Sequence, residues 1–160
     1  MEKPLPTIRE AMPSDMEQIL GLWEQLSSLH ARLDPIFTTA PDGREHYRRW
    51  LRHHMEQPDS ILLVAEVEKR VVGYCLAQLQ TMPPVMRYQQ IGAISDMAVE
   101  ENSRGLHIGR VMYQEMERRF FERGVRRIEL KTSSFNALAN HFWEEVCGFG
   151  EFVKMRFKNL

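Results

Sequence analysis

Two features of this chain have the residue types and spacing for chemistry. One is the run Arg104-Gly105-Leu106-His107-Ile108-Gly109-Arg110; the other is Asp96, the one ionisable residue in the apolar stretch Gln90 to Val99 just before it. From Ala93 to Phe120 the order reads as strand, short polar turn, glycine-bearing loop and amphipathic helix. The loop falls where the turn becomes the helix. The first N–H groups of a helix have no acceptor inside it, and the helix dipole adds partial positive charge there, so the junction is a natural anion site. Gly105 and Gly109 permit close backbone approach. Leu106 to Arg110 supply the N–H groups, and Arg104 or Arg110 a charged donor.

Other anion-binding and reactive designs fail on residues. A nucleotide-hydrolase phosphate loop needs Gly-Lys-Ser/Thr, and Gly109-Arg110-Val111 lacks it. A dinucleotide fold needs Gly-x-Gly-x-x-Gly, and Gly105-Leu106-His107 breaks that spacing. Cys75 and Cys147 make neither a disulfide framework nor a metal site, and they read as small buried hydrophobes. The formal net charge of −1 gives no footprint for nucleic acid or for an anionic membrane. The first ten residues carry charges where a leader would be apolar, and no apolar run approaches the roughly 20 residues that span a bilayer. The expectation is a reduced, cytoplasmic protein with no metal. Its 160 residues, 43% hydrophobic and 27% charged, fit one globular domain over 1–160.

The elements that position the junction follow from periodicity. Pro6 to Arg9 reads as a first strand. A helix starts at Pro13-Ser14-Asp15, with Ser14 as capping candidate, and carries Met16, Ile19, Leu20, Trp23, Leu26, His30 and Leu33 at helical spacing until Asp34-Pro35 ends it. Arg44 to Gln57 reads as a second helix with Tyr47, Trp50, Leu51, His54 and Met55 on one face; Arg48, Arg49 and Arg52 read as its solvated side. Ile61 to Val67 and Arg70 to Thr81 form an antiparallel pair in which Gly73 marks a bulge or a close backbone approach. Gln90 to Val99 is a strand, and Leu106 or His107 opens a long helix that Gly124 stops. Val125 to Thr132 is a strand, Ser133 to Asn136 starts a short helix, and Phe149 to Phe157 supplies a last strand or pair. The order is α/β.

Set beside each other, three pieces carry a resemblance. Arg104 to Gly109 matches Arg/Gln-x-x-Gly-x-Gly/Ala except for His107 at the first glycine; the strand A-I-S-D-M-A-V precedes it; and Asn136-x-x-Ala139-x-x-Phe142-Trp143, then Gly148-Phe149, follows. In that order they resemble the GCN5-related N-acetyltransferases, over most of the chain. The resemblance implies a mixed, mainly antiparallel sheet of six to seven strands flanked by about four helices. It implies acetyl-CoA as cosubstrate, with its pyrophosphate at Arg104, Gly105, Leu106, His107, Ile108, Gly109 and Arg110. The backbone of Met97, Ala98 and Val99 would take the pantetheine arm, and one N–H there would polarise the thioester carbonyl. Asn136, Ala139, Phe142 and Trp143 would complete the cofactor site.

The resemblance also assigns the reaction: direct acetyl transfer to a primary amine of a small molecule or peptide, with a homodimer as the implied assembly. The alternative is a CoA-binding sensor or partner subunit with little or no catalysis. Where the family often has a basic glutamate, Asp96 is the ionisable candidate, as base or as structural carboxylate. Trp143 stands where many members carry the tyrosine that protonates the thiolate, and indole is no acid at neutral pH; packing in the core is its other reading. The interval from Trp143 to Gly148 is one residue longer than usual. His107 narrows the loop, reaches the phosphates, or contributes backbone alone with its ring outward. His30, Asp34 and Phe37 fall where the family walls the acceptor site, and His30 also fits the apolar stripe. The acceptor pocket is expected from the Asp34 to Gly43 loop, the Met82 to Tyr88 segment and the last strands.

Overall fold

The computed structural model describes residues 5–160; Met1 to Pro4, whose charge entered the localisation expectation, lie outside the described residues. Among the described residues there is one sheet of five strands in the order β1 (Thr7–Glu10), β2 (Ser60–Val67), β3 (Arg70–Thr81), β4 (Gln90–Val99) and β5 (Ile128–Leu130). The first four pair antiparallel, and β4 with β5 parallel. The helices are α1 (Met16–Leu33), α2 (Gly43–Met55), α3 (Ile108–Glu122) and the short α4 (Ala137–His141).

The sheet is covered on both faces, which is why Ile61 to Ala65 are apolar without alternation. One face carries Ile61, Leu63, Ala65, Cys75, Ala77 and Ile94 against Ile108, Met112, Met116 and Phe120 of α3. The other carries Leu62, Val64, Tyr74 and Leu76 against Ile19, Leu20 and Leu22 of α1 and Leu51 of α2. The α3 contact is close because Gly92 has no side chain: a Cβ there would lie 2.8 Å from the Phe120 ring.

Two expectations change. The sheet has five strands rather than six to seven, because Phe149 to Phe157 forms none. Beside it β5 offers only three residues of edge, and the tail runs exposed, with Phe152 80% and Met155 79% accessible. The expected strand from Val125 shortens for a related reason. Val125 donates its N–H to the Phe120 carbonyl at 3.0 Å and is buried, so it finishes α3 instead of opening β5.

The second concerns the start of α1. Ser14 is exposed; the capping carboxylate is Asp15, which accepts from the Met12 N–H at 2.7 Å. Asp15 is 4% exposed and takes two hydrogen bonds from Arg9, at 2.7 and 3.0 Å, while Arg9 also reaches Glu66. The network ties β1, β2 and the head of α1 together. The Arg9 hydrogen bonds hold the Asp15 carboxyl below the usual carboxylate range, against the opposing effect of burial.

A carboxyl depressed in the fold stabilises above its unfolded value, about 3.9, and loses that contribution as pH falls through the folded value. Arg9→Met leaves Asp15 buried without its cation and is expected to cost about 3 kcal/mol in urea unfolding at pH 7. The loss of stability on acidification should be shallower in that variant than in the parent, and equal slopes would exclude the pair as its source.

Candidate active site

The site begins with an irregularity in β4. Leu76 pairs with Asp96 but Ala77 with Ile94, so Ser95 is an extra residue, a bulge. The bulge changes which backbone groups face which neighbour. Below it, Gly92 donates to the Arg127 carbonyl on the β5 side at 2.9 Å; above it, Glu100 donates to the Val72 carbonyl on β3 at 2.7 Å. By alternation, Asp96 and Ala98 also turn their backbone groups to β3, and Met97 and Val99 turn theirs away. Pairing with β5 stops at Ile94. Met97 and Val99 therefore present backbone N–H and C=O groups along an edge that β5 does not cover. The Val99 carbonyl is approached by Arg104 Nε at 3.4 Å, in keeping with that direction.

The loop beyond β4 turns through one tight turn, Glu101–Ser103, into α3. Val111 is the first residue to bond back into the helix, to the His107 carbonyl at 3.0 Å. The N–H groups of Ile108, Gly109 and Arg110 are left without backbone acceptors among the described residues, at the positive end of a 15-residue helix. Arg104 and Arg110 are exposed, and among the described residues neither is in an ion pair with an acid. Leu106 packs against the core and anchors the loop. His107 is the residue before α3 and is left-handed, with φ +57°; its ring is exposed. That backbone favours glycine, the residue the matched pattern has there, and His107 adopts it without being one.

Gly109 is needed for a neighbour within the chain. A Cβ there would lie 3.2 Å from the Phe142 ring and 3.5 Å from Met97 Cε, so Phe142 lies over the helix start and beside the open strand. Asn136 caps α4, its Oδ1 accepting from the Ala139 N–H at 3.1 Å, and Ala139 packs on the core. After α4 the helix widens into a π turn, Phe142–Val146, in which Cys147 donates to the Phe142 carbonyl five residues back at 3.0 Å. This turn falls in the interval from Trp143 to Gly148, where the sequence resemblance implied an additional residue. Trp143 is only 8% exposed and meets Tyr113, Phe142 and Phe149 edge-on at 5.8, 4.8 and 5.4 Å. Trp143 thus packs in the core, the other reading its position allowed, and Phe142 is the one facing the loop.

Asp96 lies one residue past the bulge, on the face opposite Met97 and Val99. Its Oδ2 accepts from the Tyr47 hydroxyl at 2.5 Å, and the Tyr47 and Tyr74 hydroxyls are 3.2 Å apart. Burial holds its carboxyl above the usual range, opposed by the Tyr47 hydrogen bond and by His30. Tyr47 was legible only as an apolar-face residue of α2; the uncompensated hydroxyl on that face was the available signal. His30 sits 6.2 Å from Phe37, and Asp34 caps the turn that carries Phe37. The Met82 to Tyr88 segment lies at the far end of β4, where Met82 donates to the Gln89 carbonyl, so it does not share the Asp96 end of the strand. A groove of about 900 Å³ opens elsewhere, between α3, β5 and residues 147–152, and holds none of these residues. No three His, Cys, Asp or Glu side chains gather as for a metal among the described residues.

The family model of the GNAT acetyltransferases matches residues 23–149, which spans the bulged strand, the loop, α3 and the π turn. The chain belongs to the GNAT acetyltransferase family. Among solved structures of similar fold, a tetramutant of the BH1408 protein from Bacillus halodurans has a TM-score of 0.83 at 23% identity, covering 96% of this chain and 99% of that one. A transcriptional regulator from Bacillus halodurans C-125 has a TM-score of 0.70 at 24% identity, covering 95% and 99%. The aminoglycoside N-acetyltransferase AAC(6')-Iy, in complex with CoA, has a TM-score of 0.74 at 14% identity, covering 99% and 97%. At these identities the likeness is one of fold. No curated protein matches the sequence. Among the described residues no helix is long and apolar enough to cross a membrane.

His107→Gly relieves the left-handed backbone at the loop and is expected to stabilise the protein by about 0.5–1 kcal/mol, raising the melting temperature by roughly 2–3 °C for a chain of this size. A melting temperature unchanged or lowered in calorimetric scans would mean that the His107 ring, rather than its backbone, matters.

Proposed function

We propose that this GNAT protein transfers an acetyl group from acetyl-CoA directly to a primary amine. The observation that carries the reading is the bulge at Ser95. It turns the Met97 and Val99 backbone groups to the uncovered edge of β4 and puts the Asp96 carboxylate one residue away on the other face. One side of the strand is thus fitted to hold a donor and the other to receive a proton.

The residues fit coenzyme A. The free N–H groups of Ile108, Gly109 and Arg110, with Arg104 and Arg110, suit a pyrophosphate. The open edge of Met97 and Val99 suits an amide-bearing arm, by strand addition. Acetyl-CoA supplies the activated acyl group as a thioester. A Met97 or Val99 N–H donates to the carbonyl oxygen, where negative charge develops. The amine nitrogen forms the new C–N bond, the C–S bond breaks, and the amine's proton passes to Asp96. The thiolate takes its proton from solvent, since Phe142 and Trp143 have no acidic one. Direct transfer is supported by the cysteines: burial pushes the Cys75 thiol up, and the Cys147 thiol is pushed up to about 11, so neither is an activated nucleophile. The CoA complex of AAC(6')-Iy supports the choice of donor.

A second reading is a CoA-binding sensor with little catalysis. The absence of an acid at Phe142 and Trp143, and the likeness to a transcriptional regulator, favour it.

Calorimetry with acetyl-CoA is expected to give binding that Arg104→Ala with Arg110→Ala weakens at least tenfold, for loss of charge-assisted contacts; unchanged affinity would move the pyrophosphate elsewhere. Thiol release is then measured with spermidine, a lysine peptide, benzylamine and an aminoglycoside as acceptors. Binding without release on this panel selects the sensor. In turnover, Asp96→Asn should lower kcat/KM by about 10²–10⁴-fold. The acid limb of the parent profile should lie above an ordinary carboxylate's pKa, because the base must be ionised and burial raises it.

A further inference from the structure

Deeper on the Asp96 side of β4 is an arrangement that the transfer reaction does not by itself require. Asp96 Oδ2 is held by the Tyr47 hydroxyl at 2.5 Å, and that hydroxyl stands 3.2 Å from Tyr74's. Asp96 Oδ1 accepts no hydrogen bond among the described residues. We propose that Tyr47 is a positioning residue that occupies one oxygen of Asp96 and leaves the other as the atom that takes the acceptor's proton. This rests on the reading of Asp96 as the base.

The direction of the chain of hydroxyls follows from its ends. Tyr47 donates to the carboxylate, so its oxygen is free to accept, and Tyr74 donates to it. Tyr74 is fully buried on β3, where it pairs with Ala98, two residues from Asp96. Burial raises both phenols well above their ordinary value, so they remain protonated and act as donors. Neither competes with Asp96 for the proton.

The ring of Tyr47 is fixed as firmly as its hydroxyl. It stacks on Trp23 of α1 at 4.4 Å with the planes 10° apart, and Trp50, one turn on in α2, leans against it at 5.3 Å. The carboxylate is thereby referenced to two helices as well as to its own strand. The titratable groups facing Asp96 are His30 from α1, Tyr47 from α2 and Tyr74 from β3; Cys75, next on β3, lies on the opposite face of the sheet.

The test is Tyr47→Phe, which keeps the stacked ring and removes the hydroxyl, with Tyr74→Phe reading the same chain from its far end. The carboxyl titration of Asp96 is followed by carbon NMR, its resonance assigned by loss in Asp96→Asn. A hydrogen bond to the charged form favours it, so Tyr47→Phe should raise the titration midpoint by about one pH unit. The acid limb of kcat/KM, with the fastest acceptor of the amine panel, should rise by the same amount. Below the limb that is a tenfold slower reaction. Acetyl-CoA affinity should stay within twofold. Tyr74→Phe should move the midpoint the same way by less. A midpoint unmoved in Tyr47→Phe overturns the proposal. A midpoint that moves while Asp96→Asn leaves the rate profile unchanged overturns instead the reading of Asp96 as base, and the positioning role with it.

Discussion

The conflict between a strand's two neighbours governs this structure. Up to Ile94 each residue of β4 satisfies one neighbour, with odd positions turned to β3 and even ones to β5. At Ser95 the phase slips by one residue. From there the strand keeps its ladder with β3 and abandons β5, which ends at Leu130. An uncovered strand edge is ordinarily a liability in water. Here it runs toward the start of α3, where unpaired N–H groups accumulate as well. Two sets of unsatisfied donors, one from a strand and one from a helix, are thus set in sequence along one path. The same slip sends Asp96 to the α1 and α2 side. Loop, edge and carboxylate all take their relation to one another from a single extra residue.

The parts of this plan legible in the sequence are those fixed by local pattern. The β3 boundaries, the end of α1 at Asp34-Pro35, the stop of α3 at Gly124 and the start of α4 after Ser133 to Asn136 all depend on residues within a few positions of each other. The loop stood out for the same reason: glycines and arginines at set spacing next to a helical period. What was not legible depends on partners far along the chain. Ser95 has nothing in its type to mark it as the bulged residue, because a bulge is a property of two strands. The Tyr47 pairing with Asp96 joins positions 49 apart, and α2's apolar period hid the hydroxyl. The last strand failed from the opposite cause. Lys154, Arg156 and Lys158 alternate with Val153, Met155 and Phe157 as a strand should, yet alternation supplies no neighbour to pair with.

Substitutions that break a pattern carry different physical meanings here. His107 breaks the glycine pattern yet keeps the backbone conformation that the pattern encodes, so the loop retains its shape at some cost in local strain. Trp143 does the reverse. It is an aromatic replacing an aromatic, conservative in type, but it is drawn into a cluster with Tyr113 and Phe149 and away from the loop. Chemical similarity of a residue to the family pattern was therefore a poorer guide than the backbone state of its position.

The π turn has a consequence for how this protein can be compared with its relatives. A widened turn takes up one residue while the helix on either side continues, so chain position and spatial position part company there. In a relative whose helix is regular at this point, counting along the sequence lands on the corresponding place in space up to Phe142. Beyond it, counting lands one residue early, on a side chain rotated by about a quarter turn around the axis. Any correspondence drawn through this helix by sequence order alone has to be broken at Phe142 and restarted at Gly148, where the chain leaves the helix with a positive φ.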